Sequence, residues 1–330
     1  MISYNISKER RNDVMKSINI GVDVGNYDTK SSHTTIPSGY REYASKPEIA
    51  TKILEFNGKY YVPEISERKP YVVDKTENDQ CLILTILGIA EEMLFIAKEN
   101  VGKGDIQQEL DKYDHIKLGV GLPPGHFNAY AAKTLNYYKE KFAGVNEFKY
   151  KNYSFKFEVE TIRLFPQDFV AVYKNQHCIT SKKKRYYIVG IGGGTTDVVP
   201  VINGQPDVNN CVSLPLGTRV MYRKIGAEVQ RQFGEILDEN LVEDVLLGEE
   251  TSLPDEFVSL IKKGADAHFE EIINGCIQQG AKLSLYPVVF YGGGGLLLRE
   301  QIENNSMLKN PEILEDVNAN AKAYALCLGA

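Results

Sequence analysis

Residues 188–197 read Ile-Val-Gly-Ile-Gly-Gly-Gly-Thr-Thr-Asp, preceded by Tyr186-Tyr187 and followed by Val198-Val199-Pro200-Val201-Ile202. Apolar, β-branched residues on both sides of Gly192, Gly193 and Gly194 predict two strands joined by a tight hairpin, because glycine enters positive φ without a Cβ clash. Such a turn presents bare backbone N–H groups, and a row of convergent N–H donors suits phosphate oxygens. Taken alone, the same glycines are equally well explained as hairpin punctuation.

Two further stretches change that balance. Upstream, Ile18-Asn19-Ile20-Gly21-Val22-Asp23-Val24-Gly25-Asn26-Tyr27-Asp28-Thr29-Lys30 is an apolar strand that ends in an aspartate, turns at Gly25-Asn26 and returns with a lysine. Downstream, Val288-Val289-Phe290-Tyr291 runs into Gly292-Gly293-Gly294-Gly295 and opens an apolar helix over Leu296 to Ile302. Three glycine turns, each at the end of an apolar strand, two with acidic groups and one facing a helix N-terminus, point to a shared polyanionic ligand.

The order Asp-Val-Gly to Lys30, then Gly-Gly-Gly-Thr-Thr-Asp, then four glycines before a helix resembles the phosphate 1, phosphate 2 and adenosine motifs of the actin, heat-shock chaperone and sugar kinase superfamily. Within it the chain is most similar to the bacterial and archaeal actin-like proteins, in particular the ParM type that segregates plasmids. The similarity runs from Ile18 through nearly the whole chain. It implies an α/β, actin-like fold of two domains, each a mixed sheet flanked by helices, closing over ATP or ADP with Mg²⁺. It implies that Asp23 holds the metal through its water shell, and that Gly25, Asn26, Tyr27 and Lys30 form the first phosphate turn. Gly192, Gly193, Gly194, Thr195 and Asp197 would form the second, and Gly292, Gly293 and Gly294 the adenosine turn. Pro166 is expected to start a helix resembling the first interdomain connector, with Gln167 in its first turn orienting the attacking water.

The implied activity is ATP hydrolysis coupled to polymerisation, with the filament acting on plasmid DNA through a DNA-binding adaptor. A small-metabolite kinase and a non-hydrolysing nucleotide-binding scaffold are the alternatives. A chaperone is disfavoured, since no β-rich substrate domain is expected after the nucleotide-binding core. The chain departs from the family at Gly190, where the superfamily usually has the second carboxylate of the metal site. Asp23, with Asp197, is then left to order the metal's waters. The expectation is a slow ATPase with long-lived polymers, accelerated by Gly190→Asp.

The 330 residues, 43% hydrophobic and 25% charged, suffice for two globular domains. A net charge of −6 argues against direct, sequence-independent nucleic-acid binding, which needs clustered Lys and Arg. The one basic run, Lys182-Lys183-Lys184-Arg185, reads as a solvated loop before a strand. The apolar stretch Cys81 to Ala90 is short for a bilayer span, and no secretory leader is recognised. Five scattered cysteines without a CxxC pair suggest neither a disulfide frame nor a zinc site, which fits the cytoplasm.

In chain order, residues 1–17 are expected to be a flexible extension, 18–178 the first domain and 179–330 the second. A lid subdomain is expected over about 36–115, with a hairpin at Asn57-Gly58 and a helix from Leu82 to Asn100. His115 to Pro124 reads as a central strand before a helix from about His126 to Phe142, and Tyr153 to Leu164 as strand. A helical block over about 216–285 would wall the adenosine, and Val317 to Ala325 resembles the second connector, with Ala323 where many relatives have glycine.

Overall fold

The computed structural model describes residues 16–68, 72–175 and 177–329. The extension expected before Ile18 falls almost wholly outside them, and the first strand already begins at Ser17.

The first half runs β1 (Ser17–Val24), β2 (Asp28–Lys30), β3 (Thr35–Pro37), β4 (Gly39–Tyr43), β5 (Leu54–Phe56) and β6 (Lys59–Arg68). Then come α1 (Gln80–Val101), α2 (Ile106–Leu110), β7 (His115–Leu122), α3 (Pro124–Lys141), β8 (Val145–Tyr150), β9 (Tyr153–Pro166) and α4 (Phe169–Lys174). These strands make one nine-stranded sheet in the order β3-β2-β1-β7-β9-β8-β5-β6-β4, parallel across β1, β7 and β9 and antiparallel elsewhere. The expected hairpin joins β5 to β6, with Asn57 and Gly58 both at positive φ.

The second half runs β10 (Arg185–Ile191), β11 (Thr196–Ile202), β12 (Gln205–Pro206), β13 (Val212–Leu214), α5 (Thr218–Phe233), α6 (Glu239–Leu247) and α7 (Asp255–Gln278). It ends in β14 (Pro287–Tyr291), α8 (Gly293–Leu297), α9 (Arg299–Asn304), β15 (Lys309–Ile313) and α10 (Ala319–Leu328). Its six-stranded sheet has the order β12-β11-β10-β14-β15, with β13 beside β11. The strands β10, β14 and β15 are parallel and the rest antiparallel, so both sheets are mixed. The single helix expected after the four glycines is broken at Leu298 into α8 and α9.

Central strands buried on both faces read as continuous apolar runs, and β1 and β10 do so. Ile20 and Val22 of β1 are fully buried, with α1 on one side, where Gly88 meets Val22, and α10 on the other. The side chains of β10 alternate. Val189 and Ile191 join a core with Met221, Ile225 and Phe269 from α5 and α7, while Tyr186 and Ile188 join one with Ala171 and Val172 of α4. Helix α4, reached from the first sheet, thus covers a face of the second.

Two further elements differ from expectation. Helix α1, grouped by sequence with the lid, lies in the core of the first sheet against β1. It is long and apolar enough to cross a membrane by composition, yet 78% of its most apolar window is buried inside the protein. Pro166 does not start a helix: it is the last residue of β9, paired with Leu122 of β7, and Gln167 N still donates to Leu122 O at 2.9 Å. A proline suits that position because the donor to β7 there is Gln167 N, while the other side of β9 is unpaired beyond Glu158, where the β8 ladder ends.

Helix α10 packs on β1 backbone to backbone. A Cβ on Gly21 would lie 1.9 Å from the carbonyl oxygen of Ala321. Gly21→Ala is expected to cost about 2 kcal/mol or more, since overpacking of a closed core costs about 1–3 kcal/mol. Gly226→Ala on α5, where a Cβ meets nothing within 4 Å, is the control and should gain up to about 1 kcal/mol from helix propensity. Urea midpoints of the two variants check this.

Candidate functional site

The carboxyl ends of the parallel strands β1, β7, β9, β10 and β14 face a common cleft between the two sheets, with a cavity volume of about 290 Å³. Crevices outside the carboxyl ends of parallel strands are where α/β sheets bind ligands. All three glycine turns line it, together with Asp23, Lys30, Gln167, Thr195 and Asp197. Every residue singled out from the sequence for the site lines the cleft except Gly194, which sits against Asn26 of the first turn.

The first turn is closed by Gly25 N, which donates to Asp28 O at 3.1 Å, and Ser38 Oγ donates to Gly25 O at 2.6 Å. No described residue accepts from the amides of Asn26 or Tyr27. In the second turn Gly192 N donates to Thr195 O, while the carbonyls of Gly192 and Gly193 accept from Thr218 N and Arg219 N at the start of α5. Those bonds orient the hairpin and leave the N–H groups of Gly193 and Gly194 without an acceptor among the described residues. The two turns touch: a Cβ on Gly193 would lie 2.6 Å from Tyr27 Cβ, and one on Gly194 2.6 Å from Asn26 Nδ2. The third turn bends at Gly292 (φ +91) and lies on Ile191.

Beyond the phosphate-like end the cleft is walled by Thr218, Tyr222, Glu243, Leu247, Leu296 and Leu297, from α5, α6 and α8. Tyr27 Oη donates to Glu243 Oε1 at 2.7 Å and Tyr222 Oη donates to the same oxygen at 2.9 Å. The Arg68 guanidinium stacks 3.4 Å from the centre of the Tyr27 ring. The helix charges Lys224 and Glu228 pair on the surface with Glu271 and Arg231.

At the strand ends a buried polar cluster forms. Gln167 Nε2 donates to Asp23 Oδ1 at 2.5 Å, and Asn320 Nδ2 donates to Asp23 Oδ2 at 3.0 Å and to Asp168 Oδ1 at 3.3 Å. Lys75 reaches in from the loop before α1, its Nζ donating to the carbonyls of Val24 and Gly121 at 2.9 and 3.2 Å. Asp197 lines the cleft, but Thr195 Oγ1 donates to its Oδ2 at 3.2 Å and Ser213 Oγ to its Oδ1. It is thereby tied to its own sheet.

Three carboxylates this close repel. Burial, then the neighbouring Asp197 and Asp23, push Asp168 well above the usual carboxylate range, against the hydrogen bond from Asn320. Burial pushes Asp197 up to about 6, against its bonds from Ser213 and Thr195. Lys30 and Lys75 offset part of this negative charge, and a bound cation would offset more. Among the described residues no three His, Cys, Asp or Glu side chains are placed to ligate an ion directly. Carboxylates near phosphate-binding turns, without an all-protein cage, fit Mg²⁺, which keeps several waters and takes one or two carboxylates plus phosphates.

Sequence reasoning missed Asp168, Lys75, Asn320, Tyr222 and Glu243. Asp168 also overturns the expectation for Gly190. A Cβ on Gly190 would lie 1.9 Å from Asp168 Oδ2, so the space of an aspartate at 190 already holds a carboxylate. Gly190→Asp would crowd an occupied position rather than fill an empty one, and the reason for expecting slow hydrolysis falls with it.

The profile of the archaeal actin homologue MreB-like C-terminal family matches residues 188–304. An archaeal actin homologue superposes with a TM-score of 0.70 at 17% identity, over 94% of this chain and 99% of that one. The chain has the actin-like fold. The archaeal homologue's complex with ADP aligns with a TM-score of 0.66 at 16% identity, covering 93% and 98%. A 15-stranded ParM filament from Clostridium botulinum aligns at 0.69 and 20% identity, covering 96% and 99%. A sequence search among curated proteins finds no match. In this fold the three glycine turns lie between β1 and β2, between β10 and β11, and between β14 and α8.

Glu243 joins α6 to the first glycine turn through the Tyr27 hydroxyl and to α5 through the Tyr222 hydroxyl. Glu243→Leu leaves both without their acceptor, which costs about 1–3 kcal/mol for each group that stays buried. The variant should melt lower than wild type, and Glu243→Gln, which still accepts, should lie between them in a thermal scan.

Proposed function

We propose that this protein binds ATP or ADP with Mg²⁺ in the cleft and assembles with copies of itself into filaments whose turnover is set by ATP hydrolysis. The observation that carries this is the convergence of three glycine turns, Asp23 and Gln167 on one cleft at the strand ends. The ADP complex of the archaeal homologue supports a nucleotide there, and the ParM filament supports self-association. The finer reading is plasmid DNA positioning in the cytoplasm. It rests on the ParM likeness, and the net charge of −6 makes a DNA-binding adaptor, not this chain, the DNA contact.

The open amides of Asn26, Tyr27, Gly193 and Gly194 donate to phosphate oxygens, and Lys30 and Lys75 supply positive charge. Mg²⁺, when bound, neutralises phosphate charge and orders waters, and Asp23 is placed to hold that shell. Gln167 spends its Nε2 on Asp23, which leaves Oε1 to accept from a water and aim it at the terminal phosphate. Phosphoryl transfer depends mainly on such positioning and electrostatics. The hydrophobic wall around Leu247 and Leu296 takes the base.

Light scattering on adding ATP and Mg²⁺ should rise, and fall back as the nucleotide is consumed. The same trace without nucleotide should stay flat; a signal indifferent to nucleotide would overturn the filament reading. Asp23→Ala should lose about 10–100-fold in Mg²⁺-dependent nucleotide affinity. Gln167→Ala should slow phosphate release on the order of a hundredfold while pelleting is retained. Equal loss of binding and hydrolysis in Gln167→Ala would make its role structural.

A further inference from the structure

Positions 168 and 190 share one volume. With a Cβ on Gly190, Asp168 Oδ2 would be 1.9 Å away and its Cγ 2.5 Å away, so only glycine at 190 admits the carboxylate. The carboxylate lies over the end of β10, where the side chain of residue 190 would begin, beside the Gly190–Asp197 pair of the β10–β11 ladder.

The backbone is strained to put it there. Asp168 has φ 62 and ψ −48, and Phe169 N donates to Gln167 O at 2.6 Å. This is a γ-turn of the positive-φ kind, a rare conformation whose cost is of order 1–3 kcal/mol. Such strain persists where surrounding bonds over-determine it. Asp168 N donates to Asn320 Oδ1 at 2.8 Å, Val172 N donates to Asp168 O at 3.0 Å, and Asn320 Nδ2 reaches Asp168 Oδ1.

Helix capping does not account for the side chain. Asp168 stands at the N-cap of α4, yet it makes no side-chain capping bond. The residue is only 7% exposed, lines the cleft, and receives no hydrogen bond at Oδ2 from any described residue.

We propose that Asp168 is the second carboxylate of the phosphate end: with Asp23 it holds the water shell of a divalent cation carried on the nucleotide's phosphates, and Gly190 is the clearance that admits it. This rests on the nucleotide reading of the cleft. The carboxylate has moved from the strand of the second domain to the turn before the first connector, and keeps its place in space.

The test measures binding of a fluorescent ATP analogue by anisotropy, with Mg²⁺ and in EDTA, for wild type, Asp168→Ala, Asp168→Asn, Gly190→Asp, Asp168→Gly and the double variant Asp168→Gly/Gly190→Asp. Melting temperatures select the variants that fold, and Asp168→Asn keeps the shape of the side chain if alanine does not fold. Asp168→Ala and Asp168→Asn should lose about 10–100-fold of the Mg²⁺-dependent affinity while affinity in EDTA is unchanged, a split that a purely structural role would not produce. Gly190→Asp alone should melt lower and bind Mg²⁺-nucleotide more weakly than wild type. The double variant should regain Mg²⁺-dependent affinity that Asp168→Gly lacks. Wild-type Mg²⁺ dependence in Asp168→Asn, or a double variant no better than Asp168→Gly, overturns the assignment. A wild-type protein that binds no nucleotide overturns the reading of the cleft itself.

Discussion

Helix α10 meets β1 with no side chain between them at Gly21, backbone against backbone. The rest of the site depends on that approach. Asn320 stands next to Ala321 on the helix, and is thereby set under the end of β1, where its amide ties Asp23 to Asp168. One turn further on, Tyr324 fits over Gly119 and Gly121 of β7 and stacks on Phe165 of β9, with ring centroids 5.2 Å apart. Three glycines on two strands give one helix its seat. The seat in turn fixes the amide that holds two carboxylates together.

Stability and function pull apart in that cluster. A positive-φ aspartate and like charges held close in a buried space both cost free energy, and such costs concentrate at ligand sites. They are offset elsewhere, by the cores on either side of the two sheets, where residues such as Leu84, Ile89, Phe269 and Phe290 are fully or almost fully buried. The basic run Lys182 to Arg185 takes no part in this and lies exposed leading into the first residue of β10.

What the sequence revealed of the site was what backbone geometry imposes on residue choice. Glycine turns at strand ends are visible because few other residues can stand there. Asp23, Lys30 and Asp197 were legible because they lie beside those glycines. Lys75, Glu243 and Asn320 come from a loop and two helices with no local pattern, and only the tertiary fold brings them in. Pro166 misled for a physical reason: proline is equally at home in the first helical turn and at the end of a strand. The lid boundary failed similarly, because the periodicity of α1 shows a buried face without saying which sheet buries it.

Gly190 misled more instructively. A motif compares residues position by position, and at that position a carboxylate is absent. Chemistry compares atoms in space, and there the oxygens of Asp168 fill the vacancy. The difference has a mechanical side. A carboxylate on β10 would move with the glycine hairpin of the second sheet. Asp168 is instead chained to Gln167, bonded through Asn320 to Asp23, and leads into α4, which packs on the second sheet, so it is held from both sides of the cleft.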